Sequence, residues 1–189
     1  MQLLTSYLLL PFIYLLSLLP FGILYGISDL MYLLVFHIIG YRKKVVLQNL
    51  QKSFPQKTFK EINLLCKQYY HYLCDLIFET IKTLTVNKEE LVKRCKVNPE
   101  AEKLFAQLYA EKRSILLVMG HHGNWEWIGT NGNLQIKHQF FAIYKPLTNK
   151  FFDRLLYKAR TRFGTKLISM NDTLRGMLNN KNNLSAFLF

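Results

Sequence analysis

Charge is almost missing from the start of this chain. Between Met1 and Tyr41 the only formally charged side chain is Asp29. No Lys or Arg precedes the apolar run 3–27, and that run exceeds a typical signal-peptide core, so a cleaved leader fits poorly. Cysteine is scarce as well. Cys66, Cys74 and Cys95 are odd in number and form no C-x-x-C pair, which argues against a disulfide framework or a zinc knuckle. Acids are few, 12 against 25 Lys and Arg. Disorder is excluded from the other side: 50% of residues are apolar and 14% aromatic, enough to build a core.

The 189 residues suit one domain better than two. Residues 42–189 hold all 25 basic side chains and 11 of the 12 acids, a net +14, against +13 for the whole chain. A basic surface of that size calls for an anionic counterpart: nucleic acid, anionic lipid or an acidic carrier protein. The 25-residue run 3–27 exceeds the ~20 residues that cross a bilayer as a helix. Pro11 and Pro20 either kink a spanning helix or mark where it gives way to an interfacial one. The apolar stretch 30–40 is too short to span alone. Arg42, Lys43 and Lys44 follow it, and basic flanks stay cytoplasmic. The expected organisation is a membrane anchor over 1–41 and a cytoplasmic domain over 42–189, in a reducing compartment that suits free thiols.

Beyond the anchor, Thr58 and Glu61 have capping-box spacing, and apolar residues repeat at helical period through 59–83. Asn87 with Glu90, and Asn98 with Pro99, open two shorter helices. The run 114–119 predicts a buried strand. Strands over 140–145, 166–170 and 184–189 then alternate with a helix that opens at Thr148 or Asn149 and ends before Gly164, and with a helix over 172–180. That alternation predicts an α/β layer with parallel pairing. The last strand is either central and well covered or the sequence is cut short.

The chemistry concentrates in Gly120-His121-His122-Gly123-Asn124-Trp125-Glu126-Trp127, directly after the first strand, where α/β layers bind ligands. Two pairings compete as a base and its orienting acid. His122 and Glu126 share a face only if 122–126 is helical. His121 and Glu126 meet only if the chain turns between them, and Gly120 and Gly123 favour such a turn. Asn124 is a good N-cap for a helix starting there, which would aim N–H groups at an anionic ligand. A zinc site would need a third ligand such as His138 or His71, and no H-E-x-x-H is present.

These residues resemble the bacterial lipid A biosynthesis acyltransferases, the late lauroyl/myristoyl transferases of lipopolysaccharide assembly. Gly120-His121-His122-Gly123-Asn124-Trp125-Glu126 matches that family's GHxGNWE block. Ser28-Asp29-Leu30, Gly40 to Val46 with Asn49-Leu50, and Ser53-Phe54-Pro55 resemble its start. Tyr144-Lys145-Pro146-Leu147 resembles YRPL, Arg160-Thr161-Arg162-Phe163-Gly164 resembles RxRFG, and Leu174-Arg175-Gly176 resembles LRG. Lys145 stands where Arg is usual, which keeps the charge and loses the bidentate fork. Family members also carry an Asp-Gln block past the strand ending at Phe189, so the resemblance implies that the C-terminal third of the family domain lies outside this chain.

The resemblance implies an α/β acyltransferase layer of the glycerol-3-phosphate-acyltransferase type, behind a membrane-anchoring helix and a helical segment. It implies transfer of a fatty acyl chain from acyl-carrier protein to a hydroxyl of a lipid A precursor, with His121 as general base oriented by Glu126. Neither cofactor nor metal is called for. Gly123 and Asn124 are candidates for backbone contacts, and Lys145, Arg160, Arg162 and Arg175 for anion contacts. The expected partners are the carrier protein, the lipid acceptor and the membrane; no nucleic-acid module is recognisable. The expected location is the cytoplasmic face of the cell inner membrane. The alternatives are transfer to a glycerolipid or aminolipid, or a catalytically inactive shortened protein.

Overall fold

The computed structural model describes Gln2 to Phe189, with side chains from Leu9 onward. The apolar start is not one helix over 3–27. Helix α1 (Gln2–Leu18) contains Pro11 and ends before Pro20, which stands as the N-cap of α2 (Phe21–Leu33). Pro20 restricts Leu19 and offers no N–H, so the helix stops there. Helix α2 then continues as a π-helical turn, Leu34–Ile39, and closes on Gly40 in the left-handed region at φ 63°. The two stretches that look separate in the sequence therefore merge. Among the described residues, 21–39 is the helix long and apolar enough to cross a membrane. At 19 residues its axis measures about 28 Å.

Two compact units form. The first comprises Ile13–Lys82. Within it α3 (Lys43–Ser53) and α2 both pack on α4 (Phe59–Lys82). The capping box holds: Glu61 accepts from the Thr58 N–H and hydroxyl, each at 2.8 Å. Phe36, Cys66 and Tyr70 form the core, with Val46, Leu47 and Leu50 against it. The Tyr70 hydroxyl donates to the Tyr41 carbonyl. Burial raises the Cys66 thiol above its ordinary range.

The second unit holds the sheet and runs from Thr83 to Phe189, with residues 2–12 clustered to it. Asn87 and Asn98 cap α5 (Lys88–Arg94) and α6 (Pro99–Ala110) as their spacing predicts. Four parallel strands follow: β1 (Ile115–Leu117), β2 (Gln139–Tyr144), β3 (Lys166–Ser169) and β4 (Ser185–Leu188), in the order β1-β4-β2-β3. The last strand sits between the first two and is buried along its whole length. The first does not match its expectation of a buried strand over 114–119. It is three residues long and lies at an edge. With one neighbour it covers little: Leu116 is 61% and Val118 85% exposed.

Alternation of side chains splits β4 between the two faces. Ala186 and Leu188 join Phe140 and Ala142 on one; Phe187 joins Phe141 and Ile168 on the other. Helix α7 (Trp125–Gln135) covers the first face at close range. A Cβ on Gly132 would stand 2.4 Å from the Phe140 ring. Helix α8 (Lys150–Thr161) packs beside α7 and has Arg162, in the right-handed region, as its C-cap; Gly164, the cap expected from the sequence, turns the chain two residues later at φ 91°. Helix α9 (Thr173–Asn179) follows β3 through a 3-10 turn, and its Gly176 meets Ile168 on the second face.

Candidate active site

The stretch between β1 and α7 turns sharply. Gly123 has φ 59°, a conformation that costs little only without a Cβ. Asn124 then caps α7, its side chain accepting from the Trp127 N–H at 3.1 Å. The helix begins at Trp125, so 122–126 is not helical and His122 with Glu126 is not an i, i+4 pair on one helix face. Trp127 is buried and anchors the helix start through its indole N–H to the Thr83 hydroxyl at 3.0 Å. Thr165 donates to the Gly129 carbonyl at 2.9 Å. The N-terminal turn of α7 is thereby tied from two sides.

A cavity of about 250 Å³ opens at the carboxyl ends of the parallel strands. His121, Glu126, Lys145 and Arg160 line it together with Tyr144, and its walls are otherwise largely apolar: Met119, Trp125, Ala142, Leu167, Leu188. His122 is not among the lining residues. The His121 ring tilts against Trp125, centroids 4.8 Å apart. Burial, followed by the nearby Asp153 carboxylate, raises the Tyr144 hydroxyl above its ordinary range, while Arg160 opposes the shift.

Glu126 is engaged by Arg160. The guanidinium closes on both carboxylate oxygens, Nε to Oε2 at 2.7 Å and Nη2 to Oε1 at 2.5 Å. Both side chains are about four-fifths buried, at 20% and 18% exposure. A forked, charge-assisted pair in that setting is geometrically specific. The structure thus brings His121, Glu126, Lys145 and Arg160 to one cavity, but it gives Glu126 an arginine partner.

The remaining sequence candidates lie elsewhere. Gly123 and Asn124 form the turn and the cap just described. Arg162 donates to the Thr83 carbonyl at 2.6 Å and lies 5.0 Å from the Phe163 ring centroid, so it fastens the end of α8. Arg175 is exposed on α9, the helix whose Gly176 meets the second face of the sheet. Neither lines the cavity. His138 is buried, with Nε2 2.9 Å from the Arg113 carbonyl. Among the described residues no group of three or more His, Cys, Asp or Glu is placed to hold a metal ion. Tyr144, quoted from the sequence only as part of the Tyr144-Lys145-Pro146-Leu147 block and given no role, also lines the cavity; its place at the carboxyl end of β2 was the available signal.

The family comparison places the chain among the acyltransferases. The model of the bacterial lipid A biosynthesis acyltransferase family matches residues 1–186, and the chain belongs to that family. Among curated individual proteins, none matches.

Proposed function

We propose that the protein transfers a fatty acyl chain from the thioester of acyl-carrier protein to a hydroxyl group of a lipid A precursor. The observation that carries this reading is the cavity that His121, Glu126, Lys145 and Arg160 share against apolar walls. An apolar cavity suits an acyl chain, and the cations suit phosphate or carboxylate groups at its mouth. His121 takes the proton from the acceptor hydroxyl as the oxygen attacks the thioester carbonyl. The carbon–sulfur bond then breaks, and the imidazolium returns the proton to the leaving thiolate. No covalent enzyme intermediate is needed.

Glu126 contributes negative charge next to the developing imidazolium. A carboxylate has about four lone-pair sites, and Arg160 uses two, so Glu126 can accept from His121 while Arg160 still holds it. Arg160 is then the residue that aims Glu126, and Lys145 remains for the anionic part of a substrate. The helix N-terminus behind Gly123 and Asn124 supports a role for its backbone N–H groups in steadying the oxyanion. The apolar start of the chain and the Arg42-Lys43-Lys44 triplet after it support work at the cytoplasmic face of the inner membrane.

The test is transfer of a labelled acyl chain from carrier protein to a lipid A precursor by the purified protein in mixed micelles. Loss of transfer in His121→Ala with retained folding supports the assignment. Unchanged transfer, or equal transfer to glycerolipid acceptors, overturns it.

A further inference from the structure

We propose that the outward face of α8 is the docking surface for the acidic carrier protein that delivers the acyl donor, with Lys150, Arg154 and Lys158 as its row of contacts. The inference rests on the carrier-dependent transfer proposed above and adds the place where the carrier binds.

Helix α8 has two faces. Ala159 is buried, and Phe152, Leu155 and Leu156 are half-buried, at the spacing of an inward stripe. Lys150, Arg154, Tyr157 and Lys158 are exposed. At about 100° per residue the three cations fall within about 80° of arc, one turn apart over about 12 Å. The row weakens the helix that carries it. Lys150 with Arg154, and Arg154 with Lys158, are like-charge i, i+4 pairs, which repel. Lys150 is also the first residue of α8, where the positive end of the helix dipole disfavours a cation. Among the described residues none of the three has an ion-pair partner. Asp153, the acid of this helix, accepts instead from the Leu147 N–H at 2.8 Å. The row therefore calls for an anionic partner from outside.

The row also leads to the cavity. The Tyr157 ring, on the same face, meets Tyr144 edge-on with centroids 6.3 Å apart. Tyr144 lines the cavity together with Lys145 and Arg160. Arg160 itself belongs to α8 and turns from its flank onto Glu126. One helix thus holds cations out to solvent and supplies a residue to the site, so a carrier seated on the row has its thioester beside the cavity.

The arrangement favours a protein partner over lipid. Cations that hold a single phosphate converge on it, whereas these stand in a line along a convex helix. A helix that lies on a membrane sets large apolar side chains beside its cations, and Tyr157 is the exposed large hydrophobic on α8. Cations one turn apart are complementary to a partner helix with acids at the same spacing.

The experiment uses the full chain in mixed micelles and the triple variant Lys150→Glu/Arg154→Glu/Lys158→Glu. Two donors are compared, acyl-carrier protein and the same acyl chain on pantetheine alone. We expect KM for the carrier donor to rise by about 10-fold or more at low salt, with kcat and transfer from acyl-pantetheine unchanged. Added salt should raise the carrier KM of the parent and not that of the variant. An unchanged carrier KM, or equal loss with both donors, overturns the proposal. A rise in the acceptor KM alone, or loss of binding to phosphatidylglycerol vesicles with the carrier KM unchanged, also overturns it and gives the row to lipid. The neutral set Lys150→Gln/Arg154→Gln/Lys158→Gln is expected to raise the carrier KM less, and it decides the matter where the reversed set fails to fold. Binding of acyl-carrier protein without acceptor separates this proposal from the transfer reading. Binding that the parent has and the variant loses supports the docking surface even where no lipid A precursor is acylated. Equal binding, or none by either, overturns it while transfer stands.

Discussion

Arg160 reaches across from α8 to clamp both oxygens of Glu126, 34 positions earlier in the chain. A positive fork therefore stands on the acid that the acyl-transfer reading pairs with His121. The two roles are compatible only if the clamp orients the carboxylate and leaves lone pairs for the imidazole. That makes the fork geometry of Arg160 testable apart from its charge.

Arg160→Lys keeps the charge and removes the bidentate grip. We expect transfer to fall by about 10-fold to 100-fold in kcat/KM, the scale of one to three kcal/mol for a charge-assisted contact, with a smaller change in donor KM. Steady-state kinetics on the variant check this. A change confined to KM would instead place Arg160 on the substrate.

His121→Ala is expected to lower the rate by about 100-fold to 10,000-fold, the usual worth of a positioned general base. His122→Ala is the control, since His122 does not line the cavity, and its rate is expected to stay within a small factor of the parent. Circular dichroism of both variants establishes that the fold persists. A larger loss at His122 would reverse the pairing.

Gly132 and Gly129 lie one turn apart on α7, with opposite tolerance. A Cβ at Gly132 meets the buried Phe140 ring at 2.4 Å, whereas one at Gly129 meets its nearest neighbour, Leu188, at 3.8 Å. Gly132→Ala is expected to destabilise the sheet unit by about 1–3 kcal/mol, the cost of overpacking a filled core. Gly129→Ala is expected to be neutral or slightly stabilising, because alanine favours the helix. Denaturant midpoints of the two variants are the comparison.

Burial raises all three thiols, Cys66, Cys74 and Cys95; for Cys95 an Asn131 contact opposes the shift. Since the folded values lie above the unfolded ones, the stability they contribute is complete below the ordinary thiol range. It declines as pH rises through that range, about 8.5, toward the raised folded values. The native protein should resist maleimide at pH 7 and react fully once denatured. Denaturation midpoints should fall at alkaline pH, and replacing the cysteines with alanine should flatten that fall.

Much of the local structure was legible. Asn87, Asn98 and Asn124 each cap the helix their spacing announced, and of Thr148 and Asn149 it is Asn149 that caps α8, because a cap is settled within three or four residues. Gly164 turns the chain just after α8, which is capped two residues earlier by Arg162. The merger of 21–33 with 34–39 was not legible, since a π turn is decided by packing on α4 and not by composition. Nor was the strand order, because identical apolar runs serve edge and centre alike; β1 and β4 were told apart only by their neighbours. At the site, the gathering of His121 and Glu126 followed from Gly123 and Asn124. The Arg160–Glu126 clamp did not, as it depends on how α8 docks against α7.

The strand order also sets a schedule for synthesis. Among the described residues β1 hydrogen-bonds to β4 alone, and everything from Val118 to Leu184 must leave the ribosome between them. At about 5–20 residues per second, the first strand waits several seconds for its neighbour with its backbone edge unpaired and without the Ala186 and Leu188 cluster that Ile115 and Leu117 pack against. During that interval β2 and β3 can already pair, so the nascent sheet holds an open slot beside β2. Mistaken insertion of another chain's strand into that slot is the aggregation risk built into this topology.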